Sequence, residues 1–282
     1  MSQATEMNLA EREFWSAEGP QQYAEHGARW EIMMAPFGAA MFDAVALQPG
    51  EHVLDVGCGW GATTVDAAER VAPTGSVVGV DFSAQMLETA RQRTSGMDHV
   101  TLLEADAQVH QFEPDSFDAV ISRFAAMLFD DPPAAFANLH RAVKPGGRLA
   151  FVCWQGPLDT EWVAVALSAA ARLTGRQPDL GEPGAPGPFA FADGDRARSL
   201  VEAGGFAEVT LESVTRPQHI AKDTDDAAEF VLALPESKQL LDGAPQQVWA
   251  AMADALREAF TPFAGPHGVI TDASAWLVTA CR

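Results

Sequence analysis

From Val53 to Thr64 an apolar run, Val53-Leu54-Asp55-Val56, passes into Gly57-Cys58-Gly59-Trp60-Gly61, where three glycines alternate with other residues. The apolar part reads as a buried strand of a parallel sheet. The glycines allow a sharp turn and let a ligand press against bare main chain. Residues 62–70 read as a helix, which puts the loop where an open α/β sheet holds its ligand. Asp55 stands just before the glycines. A carboxylate there is badly placed for a pyrophosphate and well placed for a cationic ammonium group.

The same rhythm continues to about residue 155. Strands are predicted at 52–57, 76–80, 100–104, 119–122 and 148–154. Helices are predicted at 62–71, at 84–94 with Ser83 as its cap, and at 133–143. Pro132-Pro133 opens the last of these, and Lys144-Pro145-Gly146-Gly147 ends it. Strands alternating with helices imply a parallel sheet. Residues 8–47 read as helical, broken at Gly19-Pro20 and at Pro36. Beyond 155 the alternation stops. Helices are expected at 161–173, 193–203, 226–234 and 246–260, strands at 208–214 and 274–281, and an irregular Pro/Gly-rich loop at 176–187.

Further acidic residues sit at successive strand ends. Asp81 ends the second strand, where a carboxylate can accept hydrogen bonds from both hydroxyls of a ribose. Phe82 and Met86 follow it and suit an adenine face. After the third strand comes Glu104-Ala105-Asp106-Ala107, where an acid can accept from the exocyclic amine of adenine. Each signal taken singly has a plainer reading: a helix cap for Asp81, a turn residue for Asp106. Gly57-x-Gly59-x-x-Ala62 also satisfies the loose dinucleotide fingerprint. Their order and spacing together point to a nucleoside.

The chain has 282 residues, 48% of them hydrophobic, enough for one α/β domain with a substantial cap. Eighteen Lys and Arg against 39 Asp and Glu leave a net charge of −21. Such a surface repels phosphate backbones and anionic lipid heads, so neither nucleic acid nor membrane is an expected partner. The cysteines Cys58, Cys153 and Cys281 are too few for a disulfide framework, and each is expected to act as a small buried hydrophobe. A reducing cytoplasm fits. The polar N-terminus has no signal-peptide pattern, and no apolar run is long enough to span a membrane.

The constellation over residues 51–155 resembles the class I S-adenosylmethionine-dependent methyltransferases. Asp55-Val56-Gly57-Cys58-Gly59-Trp60-Gly61 resembles their glycine-rich motif, Val77 to Ser83 their ribose motif, and Asp106-Ala107 their adenine motif. Phe117 to Phe124 looks like their fourth strand, and the proline-glycine-glycine turn like the segment before their fifth. The likeness is greatest to the branch of ubiquinone and menaquinone biosynthesis, which includes natural-product tailoring enzymes. It implies a doubly wound, Rossmann-like α/β sheet of seven strands, the last antiparallel, with helical lid insertions. Residues 1–50 would be an N-terminal helical lid segment, 51–155 the cofactor-binding core, and 156–282 the completion of the sheet, with lid insertions at about 156–192 and 215–272.

The implied cofactor is S-adenosylmethionine, and the implied acceptor a small apolar or aromatic molecule. By resemblance, the cofactor contacts are Trp15, Tyr23, Asp55, Gly57, Cys58, Gly59, Gly61, Asp81, Phe82, Met86, Asp106, Ala107, Ser122 and Arg123. Tyr23, the single tyrosine, is a candidate partner of the methionine carboxylate. Phe14, His26, Met127 and Trp154 are expected at the acceptor, with His26 as a candidate base. In-line methyl transfer depends mainly on positioning and needs a base only if the nucleophile carries a proton. No metal site is expected. Asp130-Asp131 reads as an acidic turn capping the helix at Pro132. His52, His99, His110, His140 and His219 are expected at the surface. Two other functions share these motifs: a non-methylating member of the fold that keeps the cofactor structurally, and a dehydrogenase binding NAD. Asp55 and the alternating glycines count against the latter. The sequence leaves oligomeric state open.

Overall fold

Five apolar segments lie parallel in the computed structural model, which describes residues 8, 13–15, 18–176, 178–180 and 184–282, without the side chains of 18 and 20–24. They are β1 (His52–Val56), β2 (Ser76–Asp81), β3 (Val100–Glu104), β4 (Phe117–Arg123) and β5 (Val143–Trp154). Three more strands follow: β6 (Ala207–Ala221), the two-residue β7 (Ala264–Gly265) and β8 (Gly268–Cys281). The sheet order is β3-β2-β1-β4-β5-β8-β6, with β7 paired to β8. β8 runs antiparallel to both β5 and β6. The expected doubly wound sheet with its antiparallel last strand is therefore present. Its order reverses between β1 and β4, which opens a crevice at their carboxyl ends.

Helices cover both faces. α1 (Glu18–Val45), α2 (Ala62–Val71) and α3 (Ala84–Arg93) pack on one side; α4 (Pro132–Ala142) and α6 (Gly194–Ala203) pair on the other. The main core includes Leu54, Ile121, Phe136, Phe151 and Phe191, all fully buried. Phe136 stacks on Phe151 with ring centroids 5.7 Å apart and on Phe191 at 6.3 Å.

α1 is not broken at Pro36, contrary to the sequence expectation. Pro36 removes the N–H that would reach the carbonyl of Ile32, and a proline inside a helix costs about 3 kcal/mol. Ile32 is 56% exposed, so water reaches that turn, while Met33, Phe37, Met41 and Val45 are buried on the other side. Four buried apolar side chains at roughly 1.5–3 kcal/mol each outweigh the proline. Gly19-Pro20 falls in the first turn, where the missing N–H would have had no partner.

Two other expectations shift. α4 ends at Ala142, and Lys144-Pro145-Gly146-Gly147 belongs to the start of a twelve-residue β5. The Lys144 ammonium grips the Asp118 carboxylate at 2.7 and 2.8 Å across the β4–β5 irregularity. β6 and β8 run to 15 and 14 residues, well past the expected spans. Pro217 is tolerated because β6 is an edge strand.

Their extension carries a second apolar cluster. It joins Ile220 and Val269 to α5 (Glu161–Thr174), α7 (Thr224–Ala233), α8 (Pro235–Leu240) and α9 (Gln246–Phe260), and it includes Met33 of α1. α8 has no counterpart in the sequence expectation. Arg29 of α1 bonds Asp226 at 2.6 Å and lies 4.6 Å from the centroid of Phe230, tying α1 to α7.

Cys58 and Cys153 are buried as expected, but Cys281, at the end of β8, is exposed. Of the five histidines expected at the surface, only His52 is exposed; His99, His110, His140 and His219 are half-buried. Among the described residues no helix is long and apolar enough to cross a membrane.

Phe136→Ala should lower the free energy of unfolding by about 3–5 kcal/mol, because the cavity left among Phe151 and Phe191 cannot collapse. Ile32→Ala should change it by less than about 0.5 kcal/mol. Urea unfolding of both variants checks the pair.

Candidate active site

The loop after β1 is held from beneath. Asp55 is fully buried, and its Oδ2 accepts from the hydroxyls of Thr63 and Thr64, both at 2.7 Å. Its Oδ1 is buried and has no hydrogen-bond partner. Burial raises the Asp55 pKa, partly offset by the two threonine hydrogen bonds. One carboxylate thus joins the end of β1 to the first turn of α2. Gly57 has φ +66°, and an added Cβ would lie 2.2 Å from that of Ala125, so only glycine fits.

From above, Asp81 completes the loop. Its Oδ2 accepts from the Gly59 amide at 2.9 Å and its Oδ1 from the Ser83 amide at 2.8 Å. Burial raises its pKa to about 6. Asp81, Gly57, Cys58 and Gly59 line a cleft of about 980 Å³, together with Phe82 and Met86. Burial pushes the Cys58 thiol well above its ordinary pKa, and the carboxylates of Asp55 and Asp81 add to the shift.

Asp106 lies farther along the same cleft. Its Oδ1 accepts from the Gln108 amide at 2.9 Å, and its Oδ2 from the side-chain amide of Asn8 at 2.8 Å. Asn8 also bonds Asp130 in both directions, main chain to side chain. The carbonyl of Trp15 accepts from the Ser83 hydroxyl at 2.7 Å. Asn8 and Trp15 both line the cleft. Asp131 caps α4 by accepting from Ala134 at 3.1 Å, as expected.

A second cavity of about 1170 Å³ adjoins the first, and Trp15, Trp30, Met34, Phe124 and Leu128 line both. Phe124 has φ +57°, a region bulky residues rarely adopt. It is held there by stacking on Trp154 at 3.9 Å and by the edge of Phe37 at 5.5 Å. Strained backbone of this kind clusters at functional sites and costs about 1–3 kcal/mol. The rest of the chamber is almost wholly apolar, with Thr160, Glu236 and Ser237 as exceptions.

Of the residues expected at a cofactor, Trp15, Gly57, Cys58, Gly59, Asp81, Phe82, Met86, Asp106, Ala107 and Arg123 line the cleft. Three do not. Asp55 lies beneath the loop. Gly61 faces Ala90 of α3, where an added Cβ would be 3.0 Å from the alanine Cβ. Ser122 is buried and donates to the Val56 carbonyl at 2.9 Å, bracing β4 against β1. The side chain of Tyr23 lies outside the described residues.

Phe14, Met127 and Trp154, expected at an acceptor, line the chamber, while His26 lines neither cavity. It packs edge-on against Phe230 at 5.4 Å, and burial and Arg29 lower its pKa. Its ring belongs to the packing of α1 on α7, which corrects its expected place at the acceptor. Asn8, Trp30, Thr63, Phe124, Thr160 and Glu236 were not anticipated in these roles. Phe124 left a trace, in the apolar run after Arg123. Among the described residues no group of three or more His, Cys, Asp or Glu side chains could hold a metal ion.

The methyltransferase-domain family model matches residues 53–147, from β1 into β5. Over these residues the chain is similar to methyltransferase domains. Demethylmenaquinone methyltransferase of Staphylococcus aureus is 39% identical over 103 residues, covering 36% of this chain and 43% of that protein. The chain therefore matches less than half the length of this curated relative.

Solved structures extend the likeness in fold. The YcgJ protein of Bacillus subtilis aligns over 87% of this chain and 97% of its own, with a TM-score of 0.55 and 20% identity. Phosphoethanolamine N-methyltransferase 2 of Haemonchus contortus, solved with S-adenosylmethionine, aligns over 88% of this chain and 52% of its own, with a TM-score of 0.53 and 20% identity.

The glycine loop depends on Asp55. Replacing Thr63 and Thr64 together by valine should cost about 2–5 kcal/mol, since a buried carboxylate loses both its donors. Thermal unfolding checks this. Asp81 titrates with the opposite sign to a salt-bridged acid. Its folded pKa of about 6 lies above the ordinary 3.8, so the folded chain binds the proton more tightly. The penalty for its charge is relieved as pH falls through 6. Between pH 7 and pH 5 the parent should gain stability relative to Asp81→Asn, read as the change in their Tm difference.

Proposed function

We propose that the chain transfers a methyl group from S-adenosylmethionine to a small apolar or aromatic molecule, releasing S-adenosylhomocysteine. One observation carries this reading: a cleft with carboxylates at consecutive strand ends shares a wall with an apolar chamber. The polar groups of the cleft fit the donor. Asp81 suits the ribose hydroxyls, and Asp106 the adenine amine. Phe82 and Met86 offer faces to the purine ring. Arg123 is the only basic side chain among the described residues lining the cleft, and it suits the one carboxylate of the methionine part. Asp55, with an unpartnered oxygen behind the loop, supplies negative charge toward the ammonium. A dinucleotide would bring two phosphates to this acidic end, which disfavours NAD.

S-adenosylmethionine brings its own reactivity, a methyl carried on positively charged sulfur. The protein's task is then alignment and exclusion of water. Trp30, Met34, Phe124 and Leu128, on the shared wall, would hold the two reactants against each other. In this proposal residues 1–50 and the helices of the second apolar cluster act as lid, and 51–155 as the donor-binding core. The curated relative acts, by its name, on demethylmenaquinone; an apolar ring acceptor is consistent with the lining here. The three unpaired cysteines support a reducing, cytoplasmic setting, and the net charge of −21 argues against nucleic acid.

Calorimetry should detect binding of S-adenosylmethionine and none of NAD. Asp81→Asn should weaken that binding about tenfold or more at pH 7.5, where the parent presents an anion to the ribose. The parent's affinity should fall as pH drops through about 6, the pKa of Asp81, and the variant's should not. Methyl-labelled donor should pass label to an aromatic acceptor. Donor binding without transfer to any acceptor would favour the non-methylating reading. Absence of donor binding would end the proposal.

A further inference from the structure

Asp106 lines the cleft at the place assigned to the adenine amine, yet both of its oxygens are already engaged. Its Oδ1 accepts from the main-chain amide of Gln108, two residues on, at 2.9 Å. This Asx-type turn by itself fixes the direction of the carboxylate. The Asn8 side chain is not needed to aim it. The Asn8 Nδ2 nevertheless donates to the other oxygen, Oδ2, at 2.8 Å. It occupies the atom that a ligand amine would use.

Asn8 is itself firmly held. Its Oδ1 accepts from the Asp130 main-chain N–H at 2.7 Å, and its own main-chain N–H donates to the Asp130 carboxylate. The residue is 2% exposed and belongs to the lining of the cleft. Its partners fix the orientation of the carboxamide. The opposite orientation would set Oδ1 against the Asp106 carboxylate and Nδ2 against a donor N–H. Asp130 is not among the described residues that line the cleft.

A carboxamide offers an amine beside an oxygen acceptor. The edge of adenine offers an amine beside a ring-nitrogen acceptor. Asn8 thus gives Asp106 the hydrogen bond that a purine amine would give.

We propose that Asn8 is a built-in stand-in for adenine, which satisfies Asp106 while no donor is bound and yields that bond when the donor enters. This rests on reading the cleft as the S-adenosylmethionine site. It goes further by assigning an internal competitor to one part of that ligand. The exchange replaces one hydrogen bond to a buried carboxylate by another, so Asp106 is satisfied in both states. The contact weakens the binding of adenosyl ligands. A purine with a carbonyl oxygen in place of the amine has no bond to exchange, and Asn8 stays where it is.

Calorimetry with S-adenosylhomocysteine and with S-inosylhomocysteine, which carries that carbonyl oxygen, tests this. The proteins are the parent, Asn8→Gly, Asp130→Ala and the double variant. Asn8→Gly removes the carboxamide and suits the φ of +54° at this position. Asp130→Ala keeps Asn8 and removes one of its anchors. Asn8→Gly should bind S-adenosylhomocysteine about tenfold more tightly than the parent, the scale of one hydrogen bond to a charged group. Asp130→Ala should tighten it by a smaller factor. The double variant should match Asn8→Gly, because the two substitutions act on one contact. Affinity for S-inosylhomocysteine should change by less than about twofold throughout.

Unchanged or weaker binding of S-adenosylhomocysteine by Asn8→Gly would overturn the proposal, since Asn8 would then share or support Asp106. An equal gain for both ligands would overturn it too, because lost bulk and not an exchanged bond would explain it. Should Asn8→Gly fail to fold, as thermal unfolding would show, Asp130→Ala against the parent decides by the same two comparisons. If the parent binds neither ligand, the methyltransferase reading falls and this inference falls with it.

Discussion

Two buried carboxylates hold one loop, and the rest of the site is arranged around it. Asp55 fastens the end of β1 to α2 through Thr63 and Thr64, and Asp81 fastens Gly59 to the end of β2. Both acids are desolvated, which is costly, and both are compensated by short hydrogen bonds from the loop or its flanks. The result is a stretch of backbone fixed from both sides with its glycines bare. A ligand meeting Gly59 meets a surface that does not have to reorganise on binding.

The second determinant is aromatic. Phe124, Trp154 and Phe37 interlock at the ends of β4 and β5 and in α1. Phe230 gathers His26, Trp30 and Trp162 at the foot of the lid helices. Phe124 of the first group lines both the cleft and the chamber; the second group ties α1, α5 and α7 together. His26 is explained by this packing. An imidazole beside Phe230 and Arg29, with its pKa lowered, is a packing element of the lid.

The cleft was largely legible in the sequence because its residues sit at strand ends, and strand ends follow from local apolar patterning. Glycines, Asp81 and Asp106 recur at fixed distances from apolar runs. The chamber was legible at Phe14, at Met127 just after β4 and at Trp154 at the end of β5. Its other side comes from α5, α7 and α8, whose apolar faces read identically whether they cover a core or line a cavity. Glu236 gave no signal, since one glutamate after a proline is ordinary at a helix start.

From sequence alone came the alternation of strand and helix, and with it the doubly wound sheet, the crevice at its switch point and the acids around it. These follow from periodicity and turn chemistry, which act over a few residues. Only tertiary structure decided that Pro36 stays inside one long helix, that β6 and β8 continue into an arm, and that Asn8 reaches Asp106 across 98 residues of chain. It alone also made Thr160, Trp162 and Glu236 line one chamber. Those outcomes depend on contacts between distant segments, where burial outweighs local propensity, and no short window of residues contains that balance.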